Sequence, residues 1–393
     1  MRHLFYQHLV ITVLAVLVAN CGKSETDGPP IGPNPDNNEV SFTDKDATAA
    51  YNNFNNYFYS SNDRLYYGST EKKNIGAIWC QAIYWDMAMD AYRRTNESQY
   101  KKLMDDIYEG AYNRYDKFNW NNKTEWFIYD DMMWWIISLT RAFEITKDNK
   151  YLELAKSGFH RVLFGPSDGS LDYDKDGKVY KGAYDEVNSG LFWDFKRTGK
   201  NACITFPTII AAVNLYNLTG EKDYLQKATR IYSWAVDSLY DKTNGRVADN
   251  NVNGRKGWDN YTYNQGTFIG ASVLLYKATN NLGYLENAVK AADYTKSAMC
   301  NADGILPAEG DWNEQGVLKA IFGRYVMMLI NDGGKQEYLP WIQHNVNKAW
   351  GNRDPSRGLT YRNYNVVCPS GTIQSYEASS AVAIMQLCPP GKK

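Results

Sequence analysis

The amino-acid sequence predicts an all-α fold, an (α/α)6 barrel of about twelve helices. Three observations predict it. Four segments share one pattern, an apolar helix end, a Thr, and five residues later a Tyr opening another helix: Thr95 and Tyr100, Thr146 and Tyr151, Thr219 and Tyr224, Thr279 and Tyr284. The Thr-to-Tyr distance is constant, while the intervals between units are 51, 73 and 60 residues. Short fixed turns therefore alternate with long variable connections, as in repeated helical hairpins. Finally, segments apolar on every side alternate with amphipathic ones, the pattern of buried inner and half-exposed outer helices.

Reading periodicity around these anchors places helix starts near Asp46, Ile75, Ser98, Asp130, Tyr151, Ala202, Lys222, Tyr263, Tyr284, Val317, Gln336 and Tyr376. Those opening at Ile75, Asp130, Ala202, Tyr263, Val317 and Tyr376 are rich in Ala, Trp, Met and Ile and polar mainly at their starts. Their partners alternate charge with apolar residues. Six inner and six outer helices make the barrel; a superhelical array fits the long irregular connections poorly.

This arrangement locates a site. The short turns close one end, so the long loops gather where the inner helices begin, and functional residues concentrate on loops held by a rigid scaffold. Fifteen residues before each anchoring Thr lie Cys80, Asp131, Ile204 and Asn264. The polar members, with their neighbours Asp130 and Gln265, should share one layer at the mouth.

Composition narrows the chemistry. With 43 basic against 44 acidic residues, there is no electrostatic footprint for nucleic acid or a polyanion. Of four histidines, His3 and His8 fall in the leader, leaving His160 and His344. A Ser-His-Asp site or poly-His metal centre is thereby disfavoured, and the chemistry must rest on carboxylates. Tyr and Trp number 31 and 12 against 14 Phe. Most fill the core, yet rings with an apolar face and a polar edge also suit sugars.

Residues 1–20 read as a secretion signal: Arg2, an apolar stretch Leu9–Val18, then Ala19-Asn20-Cys21-Gly22. The pattern resembles a bacterial lipoprotein signal, with Cys21 as the lipidated first mature residue. Residues 21–42 read as a flexible tether, and Ser24-Glu25-Thr26-Asp27 resembles the acidic export signals of surface lipoproteins. The expected location is the outer membrane, at the surface or the periplasmic face, with a lipid anchor as the sole membrane attachment and no other spanning stretch. The remaining domain is 43–393. Of the later cysteines, Cys80, Cys203, Cys300, Cys368 and Cys388, the last two either pair or stay as buried thiols.

Asp130 and Asp131, followed by Met-Met-Trp-Trp, stand at the head of an inner helix. Helix capping explains one Asp. A second beside it costs repulsion for little structural return. Carboxyl groups on consecutive residues can lie roughly 5–7 Å apart, which reaches the shorter separation, about 5–5.5 Å, of retaining glycosidases. Repulsion would leave one ionised as a nucleophile and the other protonated for the leaving oxygen. On residues alone, capping and catalysis both fit.

The motifs YDDMMWW, SGLFWDFKRTGKNACIT from Ser189, WDNYTYNQGTFIGA from Trp258 and KAIFGRYV from Lys319 resemble, in this order, glycoside hydrolase family 76. The resemblance covers most of the chain from about Thr43. It implies an (α/α)6 barrel and retaining endo-α-1,6-mannanase activity on the backbone of fungal cell-wall mannan, with Asp130 as nucleophile, Asp131 as acid/base, and no cofactor. Tyr129 stands where many relatives carry Trp, which touches subsite preference. A non-catalytic surface glycan-binding lipoprotein and an inverting exo-glycosidase on the same barrel are the alternatives; binding alone would not need paired carboxylates.

Around the pair, Asn264 and Gln265 suit sugar hydroxyls or cap their helix. Trp193, Asp194 and Asn201 precede one inner helix, and Trp258, Asp259 and Tyr263 the next; each Trp is a platform or core, each Asp a partner for a diol. Lys319 and Arg324 either orient carboxylates near the mouth or pair structurally. Asp172, Asp174 and Asp176, with Gly177, match the opening of a calcium loop, but its twelfth position is Ala183, so a bidentate ligand would have to come from Asp185 or Glu186. An ordinary acidic turn is the simpler reading.

Overall fold

The Thr of each repeated turn caps two helices at once. Thr95, Thr146, Thr219 and Thr279 each donate to the carbonyl four residues back, at 2.7–2.8 Å. Each also accepts from the backbone N–H two residues on, at 3.1–3.3 Å. The residue between turns left-handed, with φ of 56–59° at Asn96, Lys147 and Asn280 and 74° at Gly220. Such a residue ends a helix by satisfying its last carbonyls. The Tyr that follows packs on the preceding outer helix: Tyr100 on Tyr51, Tyr151 on Tyr108, Tyr224 on Phe159 and Tyr284 on Tyr232, with ring centroids 4.8–5.5 Å apart. The fixed spacing thus encodes both the turn and the contact between neighbouring hairpins.

In the computed structural model, residues 41–391 are described, apart from 168, 174–176 and 178. They fall within one unit, Asn38–Lys393. The expected signal peptide, Cys21 and most of the tether lie outside the described residues.

Twelve α-helices form among the described residues: α1 (Asp44–Phe58), α2 (Ile78–Thr95), α3 (Ser98–Arg114), α4 (Tyr129–Thr146), α5 (Asn149–Phe164), α6 (Ala202–Thr219), α7 (Lys222–Ser238), α8 (Thr262–Thr279), α9 (Leu282–Tyr294), α10 (Leu318–Asn331), α11 (Leu339–Gly351) and α12 (Ser375–Met385). The inner six pack in the order α2, α4, α6, α8, α10, α12 and back to α2. Each is backed by an outer helix, with α1 behind α12, so the first and last helices close the ring. This is the expected (α/α)6 barrel.

Differences from expectation are local. α2 begins at Ile78 because Ile75 pairs with Tyr67 in an extended bridge. α11 begins at Leu339, where Pro340 fits the first helical turn. α6 is long and apolar enough to cross a membrane by composition, but it is a largely buried stave of the ring. Short strands appear in the long connections, chiefly a three-stranded antiparallel sheet of 200–201, 250–252 and 255–257 beside the start of α6. Cys368 and Cys388 are free buried thiols, donating to the carbonyls of Pro369 and Pro389, and no disulfide joins them.

Inner helices approach closely where glycine allows it. A Cβ on Gly266 of α8 would lie 2.5 Å from the Cα of Phe322 on α10. At the short-turn end, Asp86 and Asp90 of α2 bind Arg141 of α4 and Arg324 of α10. This buried ion cluster ties three staves together and borders a 720 Å³ cavity opening away from the long loops.

Candidate active site

The long connections end in the N-termini of the inner helices, whose partial positive charge favours carboxylates there. Asp130 and Asp131 occupy the first turn of α4 and are partly exposed. The backbone sets their position. The Tyr129 N–H donates to the Trp193 carbonyl at 2.9 Å, and Ile128 bridges to Asp194, so the loop before α6 fixes the start of α4.

Both carboxyls are displaced from the usual aspartate range. Burial is the main cause for Asp130, pushing it up to about 7. Hydrogen bonds from the Cys203 thiol and from the amides of Asp130 and Asp131 oppose the shift, and the Asp194 charge adds to it. The Oδ1 of Asp130 is sealed without a hydrogen-bond partner. Asp131 is raised well above its ordinary value by burial, then by the charge of Asp130, then by Glu314. Protons are therefore held unequally: donors serve Asp130, while Asp131 faces further negative charge. One carboxylate suited to attack and one acid suited to donation stand on consecutive residues.

The layer read from the sequence is real at its centre. Cys80 lies beside Asp131 and Cys203, one residue before Ile204, beside Asp130. Rings of Trp79, Trp134 and Tyr263 follow one another at 6.4 Å spacing, and Tyr263 is 6.1 Å from Tyr261. Tyr263 is partly exposed, a fit for a sugar face.

The other candidates divide. Trp193 is partly exposed, with its indole N–H on Thr198 at 2.8 Å. Trp258 is partly exposed and stacks against Arg246 and Lys256. Asp259 is exposed. Asn201 precedes α6 without capping it, its Oδ1 buried and unpartnered. Asn264 is buried and donates to Asp249 at 2.9 Å, leaving its own Oδ1 unpartnered.

Several candidates are structural instead. Asp194 is buried and accepts from the Thr198 N–H and hydroxyl, closing a tight turn; no free oxygen edge faces a diol. Gln265 is buried and turned to the backbone of the 245–247 segment, with its amide placed to donate to Gly245 and accept from Val247. Tyr129 is buried, its hydroxyl spent on Asp172. Lys319 is buried and donates to the Pro307 and Ala308 carbonyls. Burial lowers it to about 8 despite nearby Glu309. Arg324 belongs to the ion cluster at the opposite end, one helical turn and more beyond the mouth. Of the calcium candidates, Asp172 is engaged elsewhere. Both Asp172 oxygens are held by the Arg161 fork at 2.9 and 3.0 Å, and Asp172 pairs with Tyr180 in a two-stranded hairpin. A guanidinium already supplies the countercharge a cation would bring. Asp174 and Asp176 lie outside the described residues, and no group of metal-ligating side chains occurs among the described ones.

Two carboxylates escaped the sequence reading. Asp249 stands beside the site, raised by burial and held by Asn264 and Asn250. Glu314 accepts from the Trp79 indole at 3.2 Å. Both sit in irregular connections without periodicity, and no motif marks them.

Comparison with known proteins agrees with this geometry. The Glycosyl hydrolase family 76 model matches residues 42–387. The GH76A alpha-1,6-mannanase of Salegentibacter sp. HEL1_6 is similar in structure, with a TM-score of 0.75 and 28% identity over 88% of this chain and 98% of that one. An inactive variant of that enzyme, two adjacent aspartates replaced by alanine, was solved with α-1,6-mannotetrose; it is similar at TM-score 0.75 and 27% identity over the same 88% and 98%. The mannan endo-1,6-alpha-mannosidase DFG5 of Saccharomyces cerevisiae is 32% identical over 109 residues, 26% of this chain. That match spans 22% of the yeast relative's length.

Proposed function

Because the chain belongs to glycosyl hydrolase family 76, we propose that it is a retaining endo-α-1,6-mannanase acting on the α-1,6-mannan backbone of fungal cell-wall mannan. One observation carries this reading. Two adjacent carboxyls stand in the first turn of α4 in unlike surroundings: Asp130 beside the Cys203 thiol, and Asp131 facing the further negative charge of Glu314, both raised above the ordinary aspartate range by burial. The Salegentibacter enzyme supports it, since replacing two adjacent aspartates there gave an inactive protein that holds an α-1,6-mannose oligomer.

In the reaction so assigned, Asp131 gives its proton to the interglycosidic oxygen as the bond from that oxygen to the anomeric carbon breaks. A carboxylate oxygen of Asp130 bonds to the same carbon, forming a glycosyl ester. Water then loses a proton to Asp131 and attacks the anomeric carbon. The ester breaks, Asp130 regains its negative charge, and the configuration is retained. The partly exposed Trp79 and Tyr263 rings supply apolar surface for the sugars, with buried Trp134 backing them and Trp193 and Trp258 further out.

The proposal extends to the N-terminus: lipidation at Cys21 would hold the catalytic domain, 43–393, at the outer membrane on a tether of residues 21–42. Incubating the soluble domain with debranched yeast mannan and separating the products tests the activity. A ladder of short oligomers is expected. Release of a single small sugar would replace the endo reading with an exo one, and an undegraded polymer would leave a binding protein.

A further inference from the structure

The connection from α9 to α10 contains three non-glycine residues in the left-handed region, Glu309 at φ 57°, Asn313 at 53° and Glu314 at 55°. Such conformations are unfavourable for side-chain-bearing residues and persist where the surroundings enforce them. Here the enforcement is visible. Glu309 accepts from the Thr262 N–H at 2.7 Å. Arg362 donates to the Glu309 carbonyl and pairs with Asp311 and Glu377. Lys319 donates to the Pro307 carbonyl at 3.0 Å, and the Gly310 N–H is held by the Gln315 side chain at 2.9 Å.

This clamped loop presents Trp312, which is 76% exposed. The ring lies outside both buried apolar clusters and stacks on no other ring among the described residues. Folding gains almost nothing from an indole left in water. Two residues on, Glu314 turns inward to the Trp79 indole at 3.2 Å, within electrostatic reach of Asp131. The neighbours of Asp130 are different ones, Cys203 and Asp194. Glu314 therefore flanks the pair on the side of Asp131, the residue that meets the departing oxygen.

We infer that the Glu309–Glu314 loop builds the subsite for the leaving-group sugar, with the Trp312 ring as a stacking platform and the Glu314 carboxylate as acceptor for its hydroxyls. The inference rests on the mannanase reading and adds to it the residues that hold the departing chain. A rigid platform suits this task, because ordering costs are met in folding and not at binding.

Two substrates separate the possibilities. α-1,6-Mannotetraose fills the leaving-group subsite; α-1,6-mannobiosyl fluoride places only fluoride there. For Trp312→Ala, kcat/KM on the tetraose should fall by about tenfold or more. Hydrolysis of the fluoride should stay at the wild-type rate, and Trp312→Phe should recover much of the loss. Glu314→Gln should likewise lower kcat/KM on the tetraose and, because the Glu314 charge helps raise Asp131, move the alkaline limb of its pH profile to lower pH. Unchanged cleavage of the tetraose by Trp312→Ala would overturn the subsite, as would an equal loss on both substrates. Wild-type protein inert toward both compounds would overturn the mannanase reading, and the subsite with it.

Discussion

The Tyr129 hydroxyl donates to Asp172 at 2.5 Å, and Asp172 is held in turn by the Arg161 fork. The residue immediately before the Asp130–Asp131 pair is thus bolted to the hairpin at 172–173 and 179–180 and to α5. Tyr129→Phe removes one hydrogen bond to an ionised group that keeps its arginine, so the stability cost should be about 1–2 kcal/mol. Because Tyr129 acts through the start of α4, kcat should fall several-fold while KM changes little. A rise in KM with kcat intact would restore Tyr129 to the sugar-contacting set.

The unequal protons of the pair predict a pH profile and a stability trend. In the proposed mechanism the productive form has Asp130 ionised and Asp131 protonated. Activity on oligosaccharide should rise with pH through the Asp130 ionisation near 7 and fall at higher pH as Asp131 loses its proton. The folded-state value of Asp130 lies above its ordinary 3.8, so the native state binds more protons than the unfolded one between these limits. Its contribution to stability is present below about 4 and is lost as pH rises through 7. Asp130→Asn should therefore melt above wild type at pH 8, with the gap closing toward pH 4. A variant melting below wild type at pH 8 would contradict this account.

The ion cluster of Asp86, Asp90, Arg141 and Arg324 has a structural consequence. Arg141→Met would leave Asp86 and Asp90 buried, with side chains 5% and 2% exposed, and with Arg324 as their remaining partner. Breaking a buried pair from one side costs about 3–5 kcal/mol. Denaturant unfolding should register that loss. Since the cluster lies at the short-turn end, KM for the folded variant should match wild type.

The barrel was legible because its repeats are local: Thr and Tyr at fixed spacing specify a turn and a neighbouring contact within one short segment. The Asp pair was legible for a related reason, being two charges inside an apolar helix. The aromatic that receives each Tyr, eight residues beyond the previous one at Tyr108, Phe159 and Tyr232, was a visible signal that went unread. Burial was harder. Asp194, Gln265 and Lys319 look like binding groups in a linear sequence, yet Asp194 is consumed by Thr198 in its own turn, and Gln265 and Lys319 face backbone polar groups that the folded loops bring near. For Arg324 the sequence leaves orientation of carboxylates at the mouth and structural pairing both open; it pairs with Asp86 and Asp90 because it lies more than a helical turn beyond the start of α10. Asp249 and Glu314 come from irregular loops whose course no periodicity encodes.

The central claim is that Asp130 forms a covalent bond to the sugar while Asp131 handles the proton. Incubation with a fluorinated α-mannosyl fluoride that traps glycosyl esters, followed by mass spectrometry of the digested protein, tests it directly. The account predicts one added glycosyl group on the peptide carrying Tyr129-Asp130-Asp131, located on Asp130, and none in Asp130→Ala. An adduct on any carboxylate other than Asp130, or turnover of the reagent without any adduct, would contradict it.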